Sequence, residues 1–338
     1  MNAHFPGIDT IHAALALASR APSIHNSQPW QWRVGDQSVH LYADLDRRLP
    51  STDPDSRDLL LSCGAALHHG VVAFAALGWH AKVYRFPNPA EPEHLAAIEL
   101  RGQTPTELDV AFAAAIPRRR TDRRHYSTWP VPHSDIAMMR ARAARAGVML
   151  QRIESLSRLH DIVAESIARH AADDGYLREL ATWSGKYAAT AGVPARSAPK
   201  PDPGAPLSAR IFAGSALKQP AGSTAADEWA VVLALGTVDD TRMARLRAGE
   251  ATSLVLLTAT AMGLATCPVT EPLEITKTRD EIQLEVFGAS GFPQMLLRVG
   301  WAPVNADPLP PTPRRRLVDV VRRLDGSPFE SAAADSTD

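Results

Sequence analysis

Mixed helices and strands in two tandem halves is the organisation this sequence predicts, and three observations predict it. The chain has 338 residues, beyond the usual size of one domain, so two domains or one large duplicated domain is expected. Helical and strand-like periodicities alternate along it. A long Ala-rich helix also occurs twice, once with Gly64 and Gly78 and again with Gly249 and Gly263, both pairs fourteen residues apart. Such glycines suit two helices that cross closely at the centre of a dimer-like core, although buried Ala-rich helices resemble one another in any case.

The elements follow in order. Asp9 to Arg20 carries Ile11, Ala14, Leu15 and Ala18 at helical spacing, with Asp9 as the cap and Pro22 as the stop. Gln31 to Val34 and Val39 to Ala43 alternate like strands and form a hairpin across a Gly-Asp turn. Asp55 to Leu77 is a long apolar helix broken at Gly78, and strands follow near His80 to Phe86 and His94 to Leu100. The second half, from Pro117 on, predicts a helix over Ser134 to Ala146, a strand over Val148 to Ile153 and one long amphipathic helix over Leu156 to Thr182. Ser184 to Asp227 is rich in Pro, Gly, Ala and Ser, a composition that resists regular structure and suits a lid or excursion. Glu228 to Gly236 is a strongly apolar strand, Arg245 to Met262 a helix and Pro293 to Gly300 another strand. The halves are placed at 1–115 and 116–325, with the excursion at 184–227 and a frayed tail at 326–338.

Composition narrows the function classes. The formal net charge is −1, so no global field favours nucleic acid or an anionic membrane, and an anion site has to be local. Two cysteines, Cys63 and Cys267, are too few for a disulfide framework and fit a reducing cytoplasm. The N-terminus lacks a signal-peptide pattern. The apolar window Ala65 to Ala81 contains His68, His69 and Trp79 and reads as a buried helix rather than a bilayer span. Adjacent His68 and His69 point about 100° apart on a helix, so they read as packed side chains rather than a chelating pair.

Two segments carry the chemistry. Arg118, Arg119, Arg120, Arg123 and Arg124 surround Thr121, and guanidinium forks with a hydroxyl suit a phosphomonoester. Alone, the run reads first as a solvated basic loop. Arg314-Arg315-Arg316 shifts that balance by offering a second arm to the same phosphate, and no interleaved aromatics speak for nucleic acid. Ser23, Asn26 and Gln28 sit on a turn that enters a strand, where amides can meet the alternating N–H and C=O groups of a heterocycle edge. Ordinary turn chemistry accounts for these three residues on spacing alone. Trp30 and Trp32 read as core.

The run Ala21-Pro22-Ser23-Ile24-His25-Asn26-Ser27-Gln28-Pro29-Trp30 resembles a motif of the nitroreductase family, and Arg119-Arg120-Thr121-Asp122-Arg123 resembles the same family's phosphate motif. Their order is inverted relative to ordinary members, and the chain resembles the fused, double-length mycobacterial Acg-like branch of that family. Leu264 to Glu271, Pro293 to Gly300 and Pro313 to Arg316 extend the resemblance over nearly the whole chain.

The resemblance implies an α+β sandwich, a single-chain pseudo-dimer of two tandem halves, and one FMN per chain held between them. It places Ser23, Asn26 and Gln28 from the first half, and Arg119, Arg120, Thr121, Arg123, Arg314 and Arg316 from the second, on that FMN. It puts Asn26, Thr270 and Glu271 near the ring's N5 and O4, with a structural loop role for Thr270 and Glu271 as the alternative. No side-chain general base is expected, since hydride transfer needs proximity and stacking. Two functions follow: an NAD(P)H-dependent oxidoreductase that reduces a nitroaromatic or quinone, and an FMN-sequestering protein whose flavin is buried beneath the excursion.

Overall fold

Two long helices cross at the middle of the molecule, each backed by its own sheet. The computed structural model describes residues 5–185, 189–202, 204–205, 207, 210–220, 229–303 and 305–329. The first part runs α1 (Ile8–Ala18), β1 (Trp30–Val34), β2 (Ser38–Ala43), α2 (Arg57–Ala76), β3 (Trp79–Arg85), β4 (His94–Gly102) and α3 (Glu107–Ala115). Then come α4 (His133–Arg145), β5 (Met149–Arg152), α5 (Leu156–Ala171), α6 (Asp174–Thr182), β6 (Val231–Thr237), α7 (Arg242–Ala261) and β7 (Ala265–Val269). The short α8 (Glu271–Glu274) and α9 (Thr276–Ile282) lead to β8 (Phe292–Gly300), α10 (Leu317–Val320) and β9 (Val321–Arg323).

The first sheet has the order β3-β4-β2-β1-β9 and the second the order β5-β6-β8-β7. The hairpin β1–β2 pairs Trp30 with Ala43 and Val34 with Val39. Its alternation buries Trp30, Trp32 and Val34 on one face against α1 and α2, as the period-two pattern requires. β6 differs because every residue in it is buried. Leu233 and Leu235 face Leu256 and Met139, whereas Val232 and Ala234 face Ile162 and Leu273. Helices therefore cover both faces of this strand, and its sequence is a continuous apolar run. β9, from the far end of the chain, pairs in parallel with β1, Trp32 opposite Val321, so the C-terminal arm returns to the first sheet.

The crossing of α2 and α7 explains the repeated glycines. A Cβ at Gly64 would lie 2.1 Å from the Leu246 carbonyl oxygen, and one at Gly249 would lie 2.1 Å from that of Leu61. The contact is reciprocal, and each helix needs its glycine for the other's backbone. Beside it, Ser253 of α7 receives both adjacent histidines of α2. His68 Nδ1 lies 2.7 Å and His69 Nδ1 2.8 Å from its hydroxyl. The expected divergence of the two rings is thus overcome by one serine on the facing helix. His69 Nδ1 also lies 3.1 Å from the Ala65 carbonyl, which assigns its proton to that nitrogen and leaves the serine hydroxyl to donate to His68.

Two expectations are corrected here. The helix over Leu156 to Thr182 is two helices, because the Asp173 carboxylate accepts the N–H groups of Gly175 and Tyr176 and caps a new start. The first helix begins at Ile8, with Asp9 in its first turn rather than at the cap. Among the described residues α2 is long and apolar enough to cross a membrane by length and composition, and it is mostly buried inside the fold.

Burial pushes the His68 imidazole down to about 4 from its ordinary 6.5. A depressed histidine contributes stability above pH 6.5, and that contribution is lost as pH falls from 6.5 to 4, roughly 2–3 kcal/mol in all. Asp53 and Asp58 act in the opposite sense, because burial first, then neighbouring carboxylates, raises them. The effect is therefore read as a difference between variants. The stability advantage of the wild type over His68→Asn in urea unfolding should shrink by roughly 2–3 kcal/mol between pH 7 and pH 4, whereas a constant difference would contradict a neutral, half-buried His68.

Candidate functional site

The motif between α1 and β1 is held in strained backbone. His25, Asn26 and Gln28 have φ of 45°, 52° and 52°, in the left-handed region, which costs a non-glycine residue about 1–2 kcal/mol each. Local hydrogen bonds fix the strain. Ser23 Oγ accepts the Gln28 N–H at 3.0 Å, and the Ile24 N–H donates to Ser62 Oγ of α2 at 3.0 Å.

The amides expected to meet a heterocycle are engaged by the protein itself. Asn26 Nδ2 donates to the Gly192 carbonyl at 3.0 Å and to that of Pro313 at 3.2 Å, and its Oδ1 accepts from Arg314 at 3.1 Å. Gln28 Nε2 donates to the Thr190 carbonyl at 2.9 Å, while its Oε1 accepts the Arg315 N–H at 2.8 Å. These two side chains tie the excursion and the C-terminal arm to the motif, and neither lines the central cavity.

Four arginines gather a few residues away. Arg20, at the end of α1, Arg119 and Arg120, after α3, and Arg314, on the arm, line one small cleft with Ile116 and Thr312, without a carboxylate among the lining residues. Arg119 is 6 % exposed, and its Nε and Nη1 have no hydrogen-bond partner among the described residues, nor do Nε of Arg20 and Arg314. Burial, and then the neighbouring arginines, pushes Arg119 down to about 10 and Arg314 to about 9. Packed cations without counter-charge are costly, so such a nest matches an anion with several acceptor oxygens.

Arg316 does not join them. It is exposed, and Asp319, three residues on, captures it through two 3.0 Å contacts. Arg315 is turned to Asp44 at 3.0 Å. Arg118 is also exposed, and Arg124 is paired with Asp122 at 2.8 Å.

The central cavity, about 1100 Å³ including its mouth, is lined from residues 22–65 and from residues 121–298. Ser23 and His25 of the motif line it with Ser62 of α2. Thr121, Arg123, Thr270 and Glu271 line the opposite side, with Cys267 of β7 and Arg298 of β8. The segments 20–25 and 119–123 thus serve both cleft and cavity. At about 3.5 Å per extended residue the two lie within roughly 10 Å of each other.

The excursion covers this cavity with Leu207, Arg210 and Phe212. Arg123 lies 4.9 Å above the Phe212 ring and donates to the Ser197 carbonyl at 3.0 Å. Arg210 donates to His25 Nε2 at 2.6 Å, to the Tyr176 hydroxyl at 2.9 Å and to Thr270 Oγ1 at 3.1 Å, and pairs with buried Glu274. Burial works against its charge, but Glu274, Tyr176 and Glu271 raise its pKa above the ordinary value. Burial likewise works to raise the Glu271 carboxyl, yet Arg210, His170 and Tyr176 hold it below its ordinary range. Thr270 and Glu271 are therefore wall residues, and Thr270 also holds Arg210. Residues 186–188, 203, 206, 208–209 and 221–227 of the predicted excursion lie outside the described residues, as do 330–338 of the predicted tail.

Sequence reading missed Arg20, His25, Arg210 and Phe212. Arg20 was legible as a basic residue closing the helix that leads into the motif. Arg210 gave only the signal of a lone charge beside Ile211 and Phe212 in a Pro- and Ala-rich stretch.

A carboxylate-free nest of arginines beside the cavity suits an anionic small molecule. The chain belongs to the nitroreductase family, whose family model matches residues 116–301. A Mycobacterium tuberculosis (strain H37Rv) protein named "Putative NAD(P)H nitroreductase Rv3131" is 63 % identical over 95 % of this chain and 93 % of its own length. A second protein from that strain, "Putative NAD(P)H nitroreductase acg", is 38 % identical over 92 % and 95 %. A Desulfitobacterium hafniense nitroreductase solved with bound FMN shares 12 % identity over 63 % of this chain and 98 % of its own, with a TM-score of 0.40.

Proposed function

We propose that this chain binds one FMN between its halves and works as an NAD(P)H-dependent oxidoreductase whose electron acceptor is a nitroaromatic or a quinone. The observation that carries the reading is the carboxylate-free nest of Arg20, Arg119, Arg120 and Arg314, in which Nε and Nη1 of Arg119 and Nε of Arg20 and Arg314 have no partner among the described residues, with Arg20, Arg119 and Arg120 on the two segments that also line the cavity. The names of the mycobacterial relatives agree with it.

On this reading the two halves form a pseudo-dimer around one site. Arg119, Arg120, Arg314 and Arg20 would hold the phosphate, and Thr121 would stand between phosphate and ring. Bound FMN would supply the redox chemistry, taking hydride from NAD(P)H and passing electrons to the acceptor. Arg123 and Arg298, with Arg210, are the second-half arginines at the cavity, where fixed positive charge would favour a reduced ring. Arg210, Phe212 and Leu207 exclude water from above.

That cover also motivates a second reading, in which the FMN is held without turnover. Anaerobic addition of NAD(P)H to the FMN-loaded protein separates the two. The oxidoreductase reading expects loss of the oxidised flavin spectrum, with the rate limited by displacement of the cover. A spectrum that persists under NAD(P)H and yields only slowly to dithionite would replace it with the FMN-holding reading.

A further inference from the structure

At His25, backbone strain, burial and a contact from the covering segment coincide. The residue has φ 45° and ψ 24° and is 5 % exposed, and its ring stands edge-on to Phe212 with centroids 6.0 Å apart. Arg210 Nη1 lies 2.6 Å from His25 Nε2. A guanidinium has donors and no acceptor, so Nε2 has to present its lone pair. A neutral ring then carries its proton on Nδ1. Burial, followed by Arg210, Arg123 and His170, opposes a second proton on this ring. Nδ1 is itself buried without a hydrogen-bond partner among the described residues, while His25 lines the cavity.

The geometry points to His25 as a hydrogen-bond donor, through Nδ1–H, to an acceptor oxygen or nitrogen of the molecule that fills the cavity, with Arg210 as the positioning residue that fixes its tautomer. The identity of the acceptor rests on the FMN reading: it is a carbonyl or ring nitrogen of the flavin, or an oxygen of the quinone or nitro group. The tautomer does not depend on that reading.

The test begins with the full-length protein, labelled with 15N-histidine and free of added ligand. Spectra correlating ring nitrogens with carbon-bound protons should show His25 as the Nδ1–H tautomer at neutral pH; the Nε2–H tautomer or an imidazolium would overturn the proposal. Arg210→Gln, which no longer forces Nε2 to accept, should give a mixture of tautomers, and an unchanged signal would remove Arg210 from its role. His25→Asn and His25→Gly both tolerate the left-handed backbone, and the first keeps a donor near Nδ1. If the acceptor is on the flavin, His25→Gly should weaken FMN binding roughly tenfold and His25→Asn should restore most of it. If it is on the substrate, FMN binding should hold while KM for the quinone or nitroaromatic rises about as much with kcat kept. Unchanged FMN binding together with unchanged KM would overturn the proposal. Failure of the wild type to take up FMN would instead count against the FMN reading, with the tautomer still deciding this one.

Discussion

Gly249→Ala and Gly64→Ala should each destabilise the protein by at least about 3 kcal/mol, a large share of the roughly 5–15 kcal/mol that keeps an ordinary domain folded. The added methyl would stand 2.1 Å from a carbonyl oxygen of the facing helix, Leu61 for Gly249 and Leu246 for Gly64. Backbone cannot rotate away as a flexible side chain can, so α2 and α7 would have to separate along their crossing. Lost dispersion and exposed apolar surface then add to the steric cost. Gly102→Ala is the control, since a Cβ there meets nothing within 4 Å. Urea unfolding of the three variants checks the prediction. Equal stability of the Gly249 variant and the Gly102 control would mean that the crossing is looser than described.

The second large effect is expected at the arginine nest. Arg119→Gln should weaken FMN binding by about 2–3 kcal/mol, roughly 30- to 150-fold, because a charge-assisted contact to phosphate is lost from a buried site. Arg316→Ala, at a side chain already paired with Asp319 in solvent, should leave FMN binding unchanged. The same Arg119 substitution should not destabilise the FMN-free protein as a lost salt bridge would. Arg119 has no carboxylate partner among the described residues and is pushed down by burial and its arginine neighbours, so removing it relieves repulsion. Fluorescence titration with FMN and unfolding of the FMN-free variant together check this. Loss of stability without loss of affinity would make Arg119 a structural residue.

Much of this was legible in the sequence because it is local. The hairpin over 30–43 followed from period-two alternation, and the long helices from their apolar runs. The paired glycines pointed to a close crossing, and the Arg run and arm to a shared anion. What escaped depends on partners far along the chain. Asn26 and Gln28 carry the polarity expected of ring contacts, but Gly192, Thr190 and the arm at 313–315 claim them first, over separations above 160 residues. Arg314 and Arg316 look equivalent in sequence; only the arm's turn into α10, with Asp319 waiting, sends one inward and the other out. Arg210 could not be placed from a stretch whose composition has no period, since its position is set by Glu274, Tyr176 and Thr270 rather than by neighbours. The break before α6 was visible in principle, because Asp173 is a good cap, but the helical periodicity on both sides hid it.

The central claim is that the two halves share one site, its anion grip drawn from Arg20 on one side and Arg119, Arg120 and Arg314 on the other. The most direct measurement is the molar ratio of FMN to polypeptide after saturation and removal of free ligand. A ratio near one is the predicted result; a ratio near two, or no retained FMN, would contradict it.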